Sequence, residues 1–367
     1  MRKAILKYCF CLWLLKIGIL GLTLSWIHRN GLHPNFCSWD CAYYRDIATR
    51  GYSYAPGERG SMAFFPIYPW LVGTLNKFVA LPFELVGTLL NLILFYVVLV
   101  LFCEWCLSIS LHLWWLPPLI LTIDRYTLWS QIPYTETLFW VTLLCFLLAI
   151  RSSGRYYNVV VPLLAGFASG TRLVGISLIA AFGFANIKDH LRRPWLGLST
   201  LFLGMWGILG FFGYLQVFHG SWTLSLVTSQ AWNRHYSFVG FFESLILLFS
   251  RFYFPTVPLG IAAAWFILRP PPTLKINSVE RWLCFLLLYI PMANSIKQGL
   301  PRYFSVLFLG YAGLAYSIEK GFFHLRNFRW GPAVFFCLIV AIGFAELFWQ
   351  VYLTRKFLLS EVFFWAA

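Results

Sequence analysis

Residues 84–103 read ELVGTLLNLILFYVVLVLFC, with a single charge at the first position and one amide, Asn91. About 20 predominantly apolar residues are what a helix needs to cross the hydrocarbon of a bilayer. Working outward, comparable stretches recur at 4–27, 111–129, 135–150, 157–169, 173–187, 195–217, 254–268, 279–295, 302–318 and 330–350. Together they predict about eleven spans. The chain is 60% hydrophobic and 11% charged, with mean hydropathy +0.72, whereas a soluble domain carries about a quarter charged residues. Lipid must therefore be the solvent. The expected fold is all-α: one polytopic transmembrane helical bundle over residues 1–367, without a soluble α/β domain.

The net charge of +15 does not mark a nucleic-acid binder. The basic residues are scattered through short inter-helix segments, which suits anionic head groups and phosphorylated lipids. The apolar run 4–27 follows Arg2 and Lys3 and is interrupted only by Lys7 and Lys16. It is too long for a signal-peptide core and reads as a retained first span.

Lys/Arg bias sets orientation. Basic clusters at Arg2/Lys3/Lys7, Arg151/Arg155, Lys188/Arg192/Arg193, Arg269/Lys275 and Lys320/Arg326/Arg329 fall on one side, taken as cytoplasmic. Segments 28–83, 130–134, 170–172, 219–253 and 297–301 then face outward, with the C-terminus. Within the first of these, residues 62–79 read as a helix lying in the outer interface. The stretch around Ser169-Gly170-Thr171 reads either as the join of two spans or as a re-entrant kink.

The outer side collects the unusual polar residues. Asp40 follows Trp39, with Tyr43/Tyr44 and Ile47/Ala48 spaced three and four, then seven and eight residues on. That is one face of a short surface helix ending at Gly51. Further on lie Glu136 after Pro133, Arg172 between two apolar stretches, Arg234 in an outer loop, and Arg302 opening a span. Each has a plain alternative. Asp40 can serve as an N-cap, Glu136 can sit favourably on a helix dipole, Arg172 can snorkel, and Arg234 can be solvated. Cys37 and Cys41, four apart, read as two unpaired small apolar residues, with pairing as the alternative. Cys103 and Cys106 form a CxxC without the strand–helix context of a redox site.

The blocks Trp39-Asp40-x-x-Tyr43-Tyr44-x-x-Ile47-Ala48-x-x-Gly51-Tyr52 and Ala63-Phe64-Phe65-Pro66-Ile67-Tyr68-Pro69 resemble the signature of the PIG-V-type mannosyltransferases. Tyr134-Thr135-Glu136, Thr171-Arg172-Leu173, Gln230-Ala231-Trp232-Asn233-Arg234 and Pro301-Arg302-Tyr303 follow in family order. The wording is nearer the bacterial branch. The resemblance implies a GT-C-type hexosyltransferase that uses a polyprenyl-phosphate sugar and has its catalytic carboxylate in the first outer loop, residues 28–83. Asp40 then acts as base, and Arg172, Arg234 and Arg302 hold phosphate. Glu136 orients the acceptor or holds a divalent ion such as Mg or Mn, and Trp39 and Tyr44 complete the substrate site. The acceptor would be a lipid-linked or cell-surface glycan, and displacement would invert the anomeric centre. The implied location is a bacterial plasma membrane with an outward site. In a eukaryote it would be the endoplasmic-reticulum membrane and the second mannose of the glycosylphosphatidylinositol anchor. The rivals are a flippase for a lipid-linked sugar and a structural membrane subunit. No internal repeat of the kind transporters show is evident.

Overall fold

The computed structural model describes residues 1–152, 157–232, 237–248, 257–294, 300–325 and 331–360. These are helical nearly throughout, and no strand occurs among them. The first half comprises α1 (Arg2–Arg29), α2 (Asp40–Arg50), α3 (Ile67–Phe78), α4 (Phe83–Ser108), α5 (Leu116–Ile123), α6 (Glu136–Ala149), α7 (Tyr157–Thr171) and α8 (Ile176–Ala185). Then follow α9 (Ile187–Arg192), α10 (Pro194–His219), α11 (Leu224–Ala231), α12 (Phe238–Leu248) and α13 (Val257–Leu268). The chain continues with α14 (Ser278–Ala293), α15 (Leu300–Phe304), α16 (Phe308–Leu325) and α17 (Gly331–Leu358).

Among the described residues α1, α4, α10 and the 333–358 part of α17 are long and apolar enough to cross a membrane, each as one continuous helix. At 1.5 Å per residue the 28 residues of α1 run about 42 Å, longer than a hydrocarbon core of about 30 Å. Their outer faces are apolar. On α17, Phe336, Phe344 and Phe348 are each about two-thirds exposed. Such a patch is unstable in water, and the chain is an integral membrane protein. Elsewhere the expected spans are built from shorter pieces.

Three departures from the expected pattern have clear causes. The predicted span 111–129 is not one helix. Pro117 and Pro118 start α5, and the chain leaves helical geometry at Asp124, whose side chain accepts the Tyr126 N–H at 2.8 Å and opens a 3₁₀ turn, Arg125–Gln131. Backbone freed by such a break must find partners away from water. The Gln350 amide donates to the Thr122 and Asp124 carbonyls at 3.2 and 2.9 Å, and Lys16 Nζ donates to the Thr122 carbonyl and, at 2.8 Å, to Thr127 Oγ1. Lys16, an interruption in the first apolar run, is thus a fully buried tie between α1 and the break. Second, residues 302–318 divide into α15 and α16. Third, the expected outer loop 219–253 contains α11 and α12, the latter held to α14 by the Ser244 hydroxyl donating to the Met292 carbonyl at 2.6 Å.

Residues 157–187 form α7, a 3₁₀ turn at Leu173–Gly175, and α8, with Arg172 extended between them. Helices in lipid associate through close contact of small residues, and α7 and α10 do so here. A β-carbon on Gly207 would lie 2.2 Å from the Gly166 carbonyl and 2.7 Å from the Gly170 Cα. This contact fixes the end of α7 from which Arg172 projects.

The bundle has two polar ends. One gathers the start of α2, the start of α6, the end of α7, and α15. At the other, Arg151 makes a bidentate pair with Glu280, with bonds of 2.9 and 2.8 Å. Glu280 is fully buried there, and it also accepts from Trp105 Nε1 at 2.9 Å and closes a capping box on α14. Removing one partner of such a pair costs about 3–5 kcal/mol. Arg151→Ala is therefore expected to lower thermal stability markedly. Unfolding scans check this, and an unchanged melting temperature contradicts it.

Candidate active site

The chain enters α2 through a turn at Trp39, which has φ 59° and ψ −124°. Asp40 is the first residue of the helix, and no side-chain capping bond is made there. The capping alternative for Asp40 is therefore not realised. Its Oδ2 instead accepts from Arg302 Nη1 at 2.6 Å. As the spacing predicts, Tyr44 and Ile47 form the buried face of α2, and Gly51, at φ 82°, ends it. Residues 61–78 follow as a 3₁₀ turn and α3, whose Trp70 and Phe78 remain exposed while Tyr68 and Val72 are buried.

Glu136, fully buried at the start of α6, lies between two arginines. Its Oε1 accepts from Arg172 Nη1 and from Arg302 Nε. The result is a continuous chain of charges, Arg172–Glu136–Arg302–Asp40, joining four segments distant in sequence. Rings cradle the cations. Arg302 lies 5.0 Å from the Trp129 centroid and 4.8 Å from that of Tyr134, and Arg172 lies 5.3 Å from that of Tyr303. Guanidinium groups gain from such faces, more so when desolvated. The Tyr134 hydroxyl donates to the Ser38 carbonyl at 3.0 Å, tying the Trp39 turn to the same cluster. Tyr44 is packed among Phe64, Tyr68 and Tyr134. Burial raises its phenol pKa well above the ordinary value, and the nearby Asp40 charge raises it further, so it remains a neutral hydrogen-bonding group.

A cavity of about 330 Å³ opens over this chain. Asp40, Arg172 and Arg302 line it, together with Ser225, Ser229 and Gln230 of α11 and the apolar Leu173, Phe212, Leu226 and Ile290. Leu173 and Leu226 are exposed.

Asp40, Tyr44, Glu136, Arg172 and Arg302 are thus brought together. Trp39 is exposed on the turn and stands outside the cavity lining. Arg234 lies outside the described residues. The expectation that Cys37 and Cys41 are unpaired is corrected: they form a disulfide, with Cα atoms 4.9 Å apart. Sequence reasoning carried this bridge only as the alternative, and it missed the ring of Trp129 and the hydroxyl-bearing face of α11. The resemblance flagged Gln230 only as part of a motif.

Among the described residues no group of three or more His, Cys, Asp or Glu side chains is placed to hold a metal ion. Asp40 and Glu136 each engage arginine through one carboxylate oxygen. Arginine carries five N–H donors. Arg302 commits Nε and Nη1, and Arg172 commits Nη1, so donors remain on both.

No family model matches the sequence, and no curated protein matches it. Among solved structures the chain is similar to ArnT from Cupriavidus metallidurans bound to undecaprenyl phosphate. The TM-score is 0.54 at 11% sequence identity, covering 97% of this chain and 74% of that one. The likeness is one of fold, a polytopic helical bundle. The expected polytopic helical architecture is therefore present, and Asp40, at the start of α2, lies on the cavity lining.

Proposed function

We propose that this protein is a membrane glycosyltransferase of the hexosyl, inverting kind, moving a sugar, mannose by resemblance, from a polyprenyl-phosphate donor to a glycan or glycolipid acceptor on the outer face. The observation that carries the reading is the placement of Asp40 on a cavity lined both by two arginines and by apolar side chains, of which Leu173 and Leu226 are exposed. A donor of this class has the same division, a charged phosphate beside an apolar tail. The likeness to a GT-C-fold protein with undecaprenyl phosphate bound supports the same chemistry.

In this reading Arg172 and Arg302 direct their remaining N–H donors at the donor phosphate and stabilise the charge that builds as it leaves. Asp40 takes the proton of the attacking acceptor hydroxyl. The new bond joins that oxygen to the anomeric carbon, the anomeric carbon–phosphate oxygen bond breaks, and polyprenyl phosphate departs with the electron pair. Attack from the face opposite the phosphate inverts the centre. Glu136 holds the two arginines and touches no reacting atom, which replaces its earlier assignment to acceptor or ion. The hydroxyls of Ser225 and Ser229 suit sugar hydroxyls, and Leu173 and Leu226 suit the first isoprene units.

Incubating the purified protein with a radiolabelled polyprenyl-phosphate mannose and a lipid-extract acceptor tests the reading. New labelled glycan is expected. Label that only crosses a vesicle wall indicates a flippase and defeats the proposal. Arg172→Ala is expected to weaken donor binding about tenfold or more, since hydrogen bonds to charged groups contribute about 1.5–3 kcal/mol. Donor affinity equal to that of the wild type removes Arg172 from the phosphate site.

A further inference from the structure

We propose that the Cys37–Cys41 disulfide is the positioning element of the Asp40 turn, so that transfer depends on its oxidised state and the site belongs to an oxidising side of the membrane. This rests on the reading of Asp40 as the base. The bridge closes a ring that contains Asp40 itself, through Cys37, Ser38, Trp39, Asp40 and Cys41. Within that ring Trp39 holds φ 59°, a conformation that residues bearing a β-carbon rarely adopt. Such a backbone costs on the order of 1–3 kcal/mol and persists only where its surroundings impose it. The helix start supplies no side-chain capping bond. The ring acts there beside the Tyr134–Ser38 bond, a 2.8 Å contact between the hydroxyls of Ser38 and Ser360, the Cys37 N–H donated to Asn35 Oδ1 at 2.9 Å, and the backbone bonds from Cys41 to Ser38 and from Ala42 to Trp39.

With the ring closed, Asp40 meets Arg302 at the cavity edge. With the ring open, Trp39 is free to relax to negative φ, and that rotation carries Asp40 away from Arg302. Both sulfur-bearing residues are buried, Cys41 completely, so the closed form is shielded. The other seven cysteines are free thiols, and this bridge is therefore the group that a reductant changes. Closure forms one S–S bond from two thiols and releases two protons, and an external disulfide accepts the two electrons and leaves as two thiols. A dithiol reverses the step through a mixed disulfide. Disulfides persist in secretory, periplasmic and extracellular settings and are rare in the cytosol. The bridge thus agrees, on chemistry alone, with the outward orientation derived from charge bias.

The test uses the full chain in lipid nanodiscs. Maleimide labelling after denaturation is expected to modify seven cysteines before reduction, as the free thiols number, and all nine after it. Dithiothreitol should lower kcat by about tenfold to a hundredfold, the scale expected for a misplaced catalytic group, with the donor KM unchanged. Oxidised glutathione should restore kcat. The Cys37→Ser/Cys41→Ser protein should start at the reduced level and ignore the reductant. Hydrogen exchange of the amides of residues 39–44 should accelerate on reduction while that of α4 does not. Nine labels without reduction, an unchanged kcat, a rise in donor KM alone, or unchanged exchange overturns the proposal. Exchange and labelling need no turnover, so an oxidised protein that transfers nothing counts against the proposed function while the bridge is still decided.

Discussion

Asp40→Asn is expected to lower transfer by at least about a hundredfold, the usual contribution of a general base, while expression and donor binding persist. The amide keeps the size of the carboxylate and an acceptor oxygen for Arg302, so the turn and the cavity should survive. It has no basic site for the acceptor proton. Initial rates with a polyprenyl-phosphate sugar, beside binding of undecaprenyl phosphate, separate the two effects. Wild-type turnover in the Asn protein would leave Asp40 a purely structural partner of Arg302 and end the proposed mechanism.

The second large effect is expected at Glu136. Its side chain is fully buried, and one oxygen accepts from both Arg172 and Arg302, themselves only 10% and 16% exposed. Glu136→Gln keeps the shape and removes the charge, so two cations face each other across a neutral amide. Breaking a buried pair on one side costs about 3–5 kcal/mol. Thermal stability should fall by a corresponding amount, and transfer with it. Polyprenyl phosphate should recover more stability in this variant than in the wild type, because the phosphate supplies the missing negative charge, while polyprenol should not. A Gln protein that melts with the wild type, or gains equally from polyprenol, would show that the arginines are balanced in another way.

What was legible in the sequence follows from the range of the interactions involved. The spans could be read because lipid offers backbone groups no alternative to the helix, and residues 84–103 carry that pattern without help. The buried face of α2 was legible for a similar reason: Asp40, Tyr44 and Ile47 repeat at helical spacing, and Gly51 stops them. The break at Asp124 was not, since hydropathy averages over a single carboxylate. What stabilises it comes from Lys16 and Gln350, more than a hundred residues away on either side. That Glu136, Arg172 and Arg302 share one end of the bundle was expected from the alternation of the spans. That one carboxylate oxygen serves both arginines, 36 and 166 residues distant, is a product of how α6, α7 and α15 meet. The bridge at Cys37 was misread because a spacing of four fits two helical cysteines as well as a ring. What decides between them is the turn at Trp39, which composition does not reveal.

The far end of α17 returns to the segment that leads into α2. The Leu358 carbonyl accepts the Asn35 N–H at 2.6 Å, and Ser360 meets Ser38 across 322 residues of chain. Contacts of such separation close late, because the intervening chain must first be organised. The sulfur bridge, by contrast, spans four residues and can close as soon as they reach an oxidising compartment. Assembly of the turn before α2 is therefore expected in two stages, a local knot tied first and a distal latch added once α17 is in place.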